Sequence, residues 1–357
     1  MDVLRDLSHL DEYVPGRGVD EVAREHGFDP EDVVKLASNE NPLGPPDAAV
    51  EAIRENAGEA SVYPTALHED VRRDVAEYAG APERHVVLGA GADGVFDTVC
   101  RAALEDGDEI LCPEPGFSYY RMAAENVGGS ANTYPLEKDT GFTYEPGSVL
   151  DAYSGEKIVY LTTPNNPTGS TLSVDEIRAI ADDVDGLTFV DEAYWEFSDR
   201  ETAVELALER DDVGVARTFS KAWGLAGMRC GYAVLPLEVA SAYRKVTTPF
   251  AVGTLTLHAV AAALTDTEHL DATTELVERG RSYLASELDV PTYPSEANFV
   301  LVDVSPRSAA DVAGELERRG VVVRDTTSFG LPECIRVSIG TEEDVERVAE
   351  EINDVCA

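Results

Sequence analysis

Short apolar runs alternate with amphipathic stretches over most of the chain. The strand-like runs lie at 85–89, 109–113, 157–163, 187–191, 213–219 and 229–235. Helical patterns, such as those at 174–183 and 237–246, separate several of them. This alternation is typical of an α/β domain built around a largely parallel sheet. We therefore expect functional residues just beyond the carboxyl ends of these strands.

The last third of the chain has a different pattern, in which a long helical stretch precedes several short strands and helices. The segments lie at 268–288, 298–304, 308–319, 321–324 and 335–339. Thr341 and Asp344 have the spacing of a capping box at the start of a final amphipathic helix. We predict an N-terminal arm and connector at 1–50 that packs with the small domain, a large domain at 51–265 and a small α+β domain at 266–357.

Acidic residues dominate the charge, with 69 Asp and Glu against 28 Lys and Arg, which gives a net charge of −41. The apolar fraction of 43% is ordinary, so the acidity does not indicate disorder. Such a field repels a polyanion, which argues against nucleic acid as a partner. Lysine is scarce beside arginine. Acid excess with little lysine is typical of salt-accumulating halophiles, and we infer a halophilic archaeon as the source.

Cysteine and histidine show no pattern of a structural site. The five cysteines are odd in number, widely spaced and without a CxxC pair, which argues against a disulfide framework or a zinc knuckle. The six histidines have no metal-ligand spacing, so we expect no metal. No signal-peptide pattern and no apolar stretch of membrane-spanning length is evident, and we expect a cytoplasmic protein without a membrane partner.

Glycines at 89, 91 and 94 form a GxGxxG pattern that follows a strand and opens a helix. Backbone N–H groups at such a helix start point toward an anion, so a phosphate is the natural ligand. Glu114, at the end of the next strand, stands where a dinucleotide fold places its ribose-binding acid. A nicotinamide-dependent dehydrogenase therefore stays open at this point.

Three further strand ends carry chemistry. Asn166 lies between two prolines, and Asp191 is followed by Tyr194 three residues later. Lys221 stands beyond the fifth strand in a chain that otherwise prefers arginine. Guanidinium cannot readily lose a proton and form a Schiff base with an aldehyde, whereas an amine can. Pyridoxal phosphate fits the combined set of groups better than a dinucleotide does. The set comprises a phosphate-binding helix start, an amide, a carboxylate–phenol pair and an amine.

Together these segments resemble the pyridoxal-phosphate-dependent aminotransferases of fold type I (class II-like) and, more narrowly, the histidinol-phosphate aminotransferases. The motifs that carry the resemblance are KLASNENPLGP at 35–45, Tyr63-Pro64, FSKAWGLAGMRCG at 219–231, SEANF at 295–299 and IRVSIG at 335–340. The resemblance implies a mainly parallel large domain with a small α+β C-terminal domain. It implies reversible amino transfer from L-histidinol phosphate to 2-oxoglutarate, giving imidazole-acetol phosphate and L-glutamate in histidine biosynthesis.

The resemblance also implies roles for individual residues around pyridoxal 5'-phosphate. Lys221 would hold the cofactor and move the proton, Asp191 would pair with its ring nitrogen, and Tyr194 is the third residue of the catalytic set. The cofactor-binding residues would be Ala92, Asp93, Phe117, Asn166, Asp191, Tyr194, Thr218, Ser220, Lys221, Arg229 and Tyr63. Phe117 would stack on the ring, where many relatives carry tyrosine.

For the substrates, the resemblance implies contacts from Tyr13, Arg324 and Arg336. Asn39 and Asn41 would line the entrance of the site. Tyr63 would reach the cofactor phosphate of the neighbouring subunit, which implies a homodimer. Within the same fold, a threonine-phosphate decarboxylase and an aromatic amino acid aminotransferase remain alternatives, and a non-enzymatic sensor of the cofactor is a third possibility.

Overall fold

The computed structural model describes residues 16–65 and 68–357. Its strands are β1 (Val34–Leu36), β2 (Val86–Gly89), β3 (Glu109–Glu114), β4 (Ser130–Pro135), β5 (Ile158–Thr162), β6 (Leu187–Asp191), β7 (Val213–Thr218), β8 (Gly231–Val234), β9 (Phe299–Asp303), β10 (Val321–Asp325) and β11 (Cys334–Ser338). Its α-helices are α1 (Val19–His26), α2 (Asp47–Asn56), α3 (Glu69–Ala79), α4 (Gly91–Ala103), α5 (Tyr119–Asn126), α6 (Pro146–Ala152), α7 (Val174–Asp182), α8 (Val204–Glu209), α9 (Leu237–Val246), α10 (Thr254–Ala263), α11 (Thr267–Glu287), α12 (Ala309–Glu317) and α13 (Glu342–Cys356).

Seven strands form the larger sheet in the order β2-β8-β7-β6-β5-β3-β4. Neighbours from β7 to β4 are parallel, whereas β8 runs antiparallel to both β7 and β2. The central strands are buried along their whole length because helices cover both faces. This geometry brings the carboxyl ends of β2, β3, β5, β6 and β7 to one edge, where the start of β8 also lies.

Four strands form the smaller sheet in the order β1-β10-β11-β9. β1 pairs in parallel with β10, with Val34 opposite Val321, so a segment near the N-terminus completes a sheet of the last third. A separate apolar core under this sheet includes Phe299, Val312 and Ile352. The mainly parallel large sheet and the small mixed sheet confirm the predicted fold class, while the predicted domain borders stay a prediction.

Helix ends follow the sequence signals. The side chain of Thr341 accepts from the Asp344 backbone N–H, and the Asp344 side chain accepts from the Thr341 backbone N–H, which forms the predicted capping box at the start of α13. Ser173 and Glu176 form a second capping box at the start of α7. At α4, by contrast, no side chain caps the N-terminus, so the first N–H groups of that helix remain for a ligand.

Candidate active site

A cavity of about 810 Å³ lies between the two sheets, at the edge where the carboxyl ends of the central strands meet. The predicted site residues that line it are Ala92, Asp93, Phe117, Asn166, Asp191, Tyr194, Thr218, Ser220, Lys221, Arg229, Arg324 and Arg336. Tyr63 lies outside the cavity, and Tyr13 lies outside the described residues. The structure therefore brings together residues that are up to 244 positions apart in the chain (336 − 92 = 244).

One end of the cavity is built to hold an anion. The N-terminus of α4 opens on it, and Gly91 has a φ of +79° there, with the Arg229 guanidinium 2.5 Å from where a Cβ would stand. Arg229 donates to Ser220 Oγ at 3.4 Å and to Asp93 Oδ2 at 3.0 Å. A phosphate requires hydrogen-bond donors, and this end of the cavity offers backbone N–H groups, a hydroxyl and a guanidinium. They surround a position at which only glycine fits.

Asp191 lies at the carboxyl end of β6 and is 4% exposed. Its carboxylate accepts from the Tyr120 hydroxyl at 2.5 Å and from the Ala193 backbone N–H at 2.9 Å. Burial raises the pKa of Asp191 to about 6, although the Tyr120 hydrogen bond acts in the opposite direction. Within the described part of the chain no cationic side chain forms an ion pair with it, so the carboxylate suits a cationic group of a ligand.

Lys221 follows β7 in a tight loop that the Thr218 hydroxyl shapes, since it accepts from Ser220 N–H and donates to Cys230 O. The Lys221 Nζ donates to Ser38 O at 3.4 Å and stands 5.8 Å from the centre of the Tyr194 ring. Burial, with the positive charge of Arg336, lowers the pKa of Lys221 to about 8. An amine with this pKa exchanges a proton readily near neutral pH.

The small sheet supplies the opposite wall of the cavity. Arg324 and Arg336 are direct partners on the antiparallel strands β10 and β11, so their side chains leave the sheet on the same face. Arg336 is 5% exposed and donates to Asn166 Oδ1 and to Ala37 O. Because Asn166 accepts with Oδ1, its amide nitrogen is left to donate elsewhere in the cavity.

Among the residues at or behind the cavity wall that were not predicted as site residues, three affect the charge of the site. Tyr120 holds Asp191, and Lys35 and Arg121 add positive charge to the cavity wall. Lys35 pairs with Glu40 at 2.8 Å. Tyr120 lies three residues after Phe117, but nothing in an apolar helix start distinguishes a tyrosine that packs from one that donates to a carboxylate.

The structure corrects the placement of two asparagines. Asn39 lines the cavity, but in its interior and not at its entrance, since it is 2% exposed and donates from Nδ2 to Tyr194 Oη at 3.0 Å. Asn41 donates to Ala222 O and to Thr273 Oγ1 and does not line the cavity. Both residues therefore tie the 37–41 segment to the active-site loops.

The geometry defines a fold type I cofactor enzyme, and comparison with known proteins gives its family. Residues 31–352 match the family "Aminotransferase class I and II", and the chain belongs to that family. Curated histidinol-phosphate aminotransferases of Natronomonas pharaonis and Halorubrum lacusprofundi are each 50% identical to it. The first match covers 98% of this chain and 99% of the relative, and the second covers 99% and 97%. The inferred resemblance is thereby confirmed, and these relatives come from halophilic archaea.

Solved structures agree with this assignment. A crystal structure of the Sinorhizobium meliloti histidinol-phosphate aminotransferase in complex with pyridoxal-5'-phosphate superposes with a TM-score of 0.89 at 26% identity. The superposition covers 100% of this chain and 98% of that chain. This protein is an aminotransferase, and its cofactor is pyridoxal phosphate.

The cavity fits that cofactor by its own chemistry. The uncapped start of α4 with Arg229 and Ser220 suits the phosphate, and the buried Asp191 carboxylate suits a protonated ring nitrogen. Lys221 supplies an amine of lowered pKa for the aldehyde. All of these groups line the same cavity.

The dinucleotide interpretation of the glycine pattern is wrong. In a dinucleotide fold the strand before the glycines lies beside parallel strands, whereas β2 pairs here with the antiparallel β8. Glu114 lies at the end of β3, on the far side of the sheet from β2, and accepts from Thr133 Oγ1 at 2.9 Å. The glycines serve the phosphate site at α4 instead.

The Asp191–Tyr120 bond gives a pH-dependent prediction. Asp191 becomes protonated as the pH falls through its pKa of about 6, and the neutral carboxyl no longer attracts a protonated ring nitrogen. The affinity for pyridoxamine phosphate should therefore fall below this pH. Replacing Tyr120 by phenylalanine removes the bond that lowers this pKa, so the loss of affinity should begin about one pH unit higher. Equilibrium dialysis with the apoprotein measures it, since pyridoxamine phosphate needs no bond to Lys221.

Tyr134→Phe is the matched control for this experiment. Tyr134 is also fully buried, but its hydroxyl donates to Tyr160 O at 2.8 Å and not to Asp191. It should lower stability without moving the pH at which affinity declines. Identical pH profiles for Tyr120→Phe and the wild type would contradict the assigned role of Tyr120.

Proposed function

We propose that this aminotransferase exchanges the amino group of L-histidinol phosphate with 2-oxoglutarate, giving imidazole-acetol phosphate and L-glutamate, a step of histidine biosynthesis. The observation that carries the proposal is the near-full-length match, at half identity, to histidinol-phosphate aminotransferases. The cavity supports it, because Arg324 and Arg336 stand side by side on β10 and β11. Two neighbouring guanidinium groups suit the phosphate of one substrate and the two carboxylates of the other.

Pyridoxal phosphate, when bound, supplies a ring that accepts the electron pair left when the substrate loses its proton. Lys221 would take that proton at Nζ and return it to the former aldehyde carbon of the cofactor, on the other side of the transferred nitrogen, and its lowered pKa suits both steps. The Asp191 carboxylate keeps the ring nitrogen protonated, and Tyr194 and Asn166 donate to the ring oxygen. Phe117 packs on the ring face and so orients it.

The remaining cofactor contacts hold the phosphate. Backbone N–H groups at Ala92 and Asp93 stand at the start of α4, and Ser220 and Arg229 add a hydroxyl and a guanidinium. Thr218 shapes the loop through its bonds to Ser220 and Cys230. Tyr13 of the N-terminal arm is proposed to close over the substrate.

The reaction is tested by its first half alone. Purified holoenzyme mixed with L-histidinol phosphate should lose the visible absorption of the bound aldehyde, and 2-oxoglutarate should restore it. A threonine-phosphate decarboxylase would instead release carbon dioxide from threonine phosphate without that spectral change. An aromatic aminotransferase would give faster conversion with phenylalanine or tyrosine than with histidinol phosphate, and either result would refute the proposal.

We further propose a homodimer in which Tyr63 of each subunit reaches the cofactor phosphate of the other. Tyr63 is 78% exposed and lies outside its own cavity. It stacks on the exposed Phe250 at 4.7 Å, and Val62 beside it is also exposed. Adjacent exposed apolar side chains of this kind are typical of a surface that a second copy covers.

Subunit complementation tests the dimer. Tyr63→Ala and Lys221→Ala are each expected to inactivate homodimers, the first by weakening the phosphate site and the second by removing the amine. Co-expression should restore about a quarter of wild-type activity, because half of the dimers are hybrids and each hybrid has one intact site. Absence of recovery in purified hybrid dimers would contradict a site shared between subunits.

The acidic surface gives a salt-dependent prediction. The site gathers Lys221, Arg229, Arg324 and Arg336 inside a chain of net charge −41, so anionic substrates must cross a repulsive field. Raising potassium chloride from about 0.1 to about 2 M shortens the screening length to a few ångströms, and kcat/KM and Tm should both rise. Sucrose of equal osmolality is the control, since it does not screen charge. Equal or higher values in dilute buffer would contradict the prediction.

We also propose that the protein acts in the cytoplasm. All five cysteines are free thiols, and four of them are buried. Free cysteines suit a reducing compartment. In the described ranges no helix has the length and apolar character to cross a bilayer.

A further inference from the structure

Asn39 occupies an unusual position beneath Tyr194. Its backbone has a φ of +53°, in the left-handed region that asparagine tolerates better than most residues. The Asn298 amide donates to its carbonyl at 3.0 Å and fixes the peptide from the small-sheet side. The segment around it also accepts from Arg336 at Ala37 O and from Lys221 at Ser38 O.

A closed set of hydrogen bonds fixes which way the Asn39 amide faces. Its backbone N–H donates to Ser338 Oγ at 2.9 Å, and the Ser338 hydroxyl donates in turn to Asn39 Oδ1 at 2.8 Å. With Oδ1 engaged, Nδ2 faces Tyr194 and donates to Oη at 3.0 Å. All three side chains are at most 6% exposed, so water does not compete strongly for these bonds.

This arrangement determines what the Tyr194 hydroxyl does. A phenol oxygen carries one hydrogen, and since Oη accepts from Asn39, that hydrogen points to a different acceptor. Phe299 packs edge-on against the Tyr194 ring at 5.2 Å and holds it in place. Tyr194, Asn166 and the Lys221 amine all line the cavity that receives the cofactor ring.

We propose that Asn39 is a positioning residue that directs the Tyr194 hydroxyl hydrogen onto the ring oxygen of bound pyridoxal phosphate. The proposal rests on the placement of Tyr194 beside the cofactor in the proposed function, but on no particular amino substrate. Ser338 lies two residues after Arg336 on β11. The hydrogen-bonded circuit of Ser338, Asn39 and Tyr194 therefore begins on the strand that carries Arg336, a residue proposed to bind substrate. It ends at the Tyr194 hydroxyl, which is proposed to stabilise the negative charge on the ring oxygen.

Two substitutions at Asn39 separate the amide from the backbone. Asn39→Gly keeps the positive φ without strain but removes the donor to Tyr194. Asn39→Asp keeps the shape but presents a carboxylate oxygen, which accepts the Tyr194 hydrogen and draws it away from the ring oxygen. The visible absorption of the substrate-free holoenzyme changes with pH as the bound cofactor gains or loses a proton. The readout is the midpoint of this titration, the pH at which half of the absorption change has occurred.

A donor to the ring oxygen stabilises its ionised form and lowers this midpoint, so losing the donor raises it. Asn39→Gly should raise the midpoint by about half a pH unit and Asn39→Asp by about one unit or more. Ser338→Ala, which frees Oδ1 but keeps Asn39, should shift it in the same direction by less. In a Tyr194→Phe background, Asn39→Gly should have no further effect.

Asn132→Ala is the matched control, because its amide donates to Glu156 Oε1 at 2.7 Å, away from the cavity. It should leave the midpoint unchanged. An unchanged midpoint in all three circuit variants, or an Asn39→Gly shift that persists in Tyr194→Phe, would overturn the proposal. Failure of histidinol phosphate to react would instead defeat the substrate assignment, and the substrate-free titration would still be readable.

Discussion

Replacing Lys221 by alanine is expected to lower kcat for amino transfer by about 10⁴-fold or more. The Lys221 Nζ is the amine placed to move the substrate proton, and burial and Arg336 lower its pKa to about 8. No second lysine in the described part of the cavity wall replaces it, since Lys35 is paired with Glu40. Single-turnover kinetics with pre-bound cofactor measure the proton-transfer step, and an unchanged melting temperature shows that the fold is intact.

Lys221→Arg separates charge from proton transfer. It keeps a positive charge beside the cofactor, but guanidinium does not release its proton in this pH range. It should bind cofactor non-covalently and remain nearly as inactive as Lys221→Ala. Recovery of substantial activity in Lys221→Arg would mean that the site needs a cation there and not a base.

Replacing Asp191 by asparagine is expected to lower kcat by about 10²- to 10³-fold while the protein still folds. The carboxylate is 4% exposed, and the cation that it suits is the ring nitrogen of the cofactor. An amide of the same shape keeps contact with Tyr120 and Ala193 but cannot keep that nitrogen protonated. The ring then accepts the electron pair of the substrate less readily. Removing a costly buried charge should at the same time raise the stability of the apoprotein.

A cofactor analogue gives the control for this variant. Reconstitution with N-methyl pyridoxal phosphate fixes a positive charge on the ring nitrogen regardless of the protein. If Asp191 acts by keeping that nitrogen protonated, the analogue should restore part of the activity of Asp191→Asn. Equal activity of Asp191→Asn and wild type with the natural cofactor would contradict the role.

Much of the large sheet and its site could be predicted from sequence. The strand-like run at 187–191 matches β6, and the other five runs lie within one or two residues of β2, β3, β5, β7 and β8. The middle of each of these strands is mostly apolar because both faces of the sheet are buried, and this distinguishes the strands from amphipathic helices. Since their ends meet at one edge, the residues that follow them had to converge.

Other elements gave no such signal. β4 carries Asn132 and Thr133 on a half-buried edge, so it lacks the apolar run that marked its neighbours. β1 has only three residues and owes its existence to pairing with β10, almost 290 positions later (321 − 34 = 287). The bond from Asn39 to Tyr194 likewise depends on tertiary packing, which local sequence does not encode.

The pairing of β1 with β10 also has a consequence during synthesis. The phosphate-binding helix and Lys221 have left the ribosome well before residues 321–325 are made. Until then β1 has no strand to pair with. The Ala37 carbonyl that follows β1 also lacks its hydrogen-bond donor, Arg336, which is made later still. A nascent or prematurely terminated chain therefore contains the residues of the cofactor half of the site but lacks Arg324 and Arg336, the residues proposed to recognise substrate. Amino transfer thus becomes available only to chains whose translation has run nearly to the end.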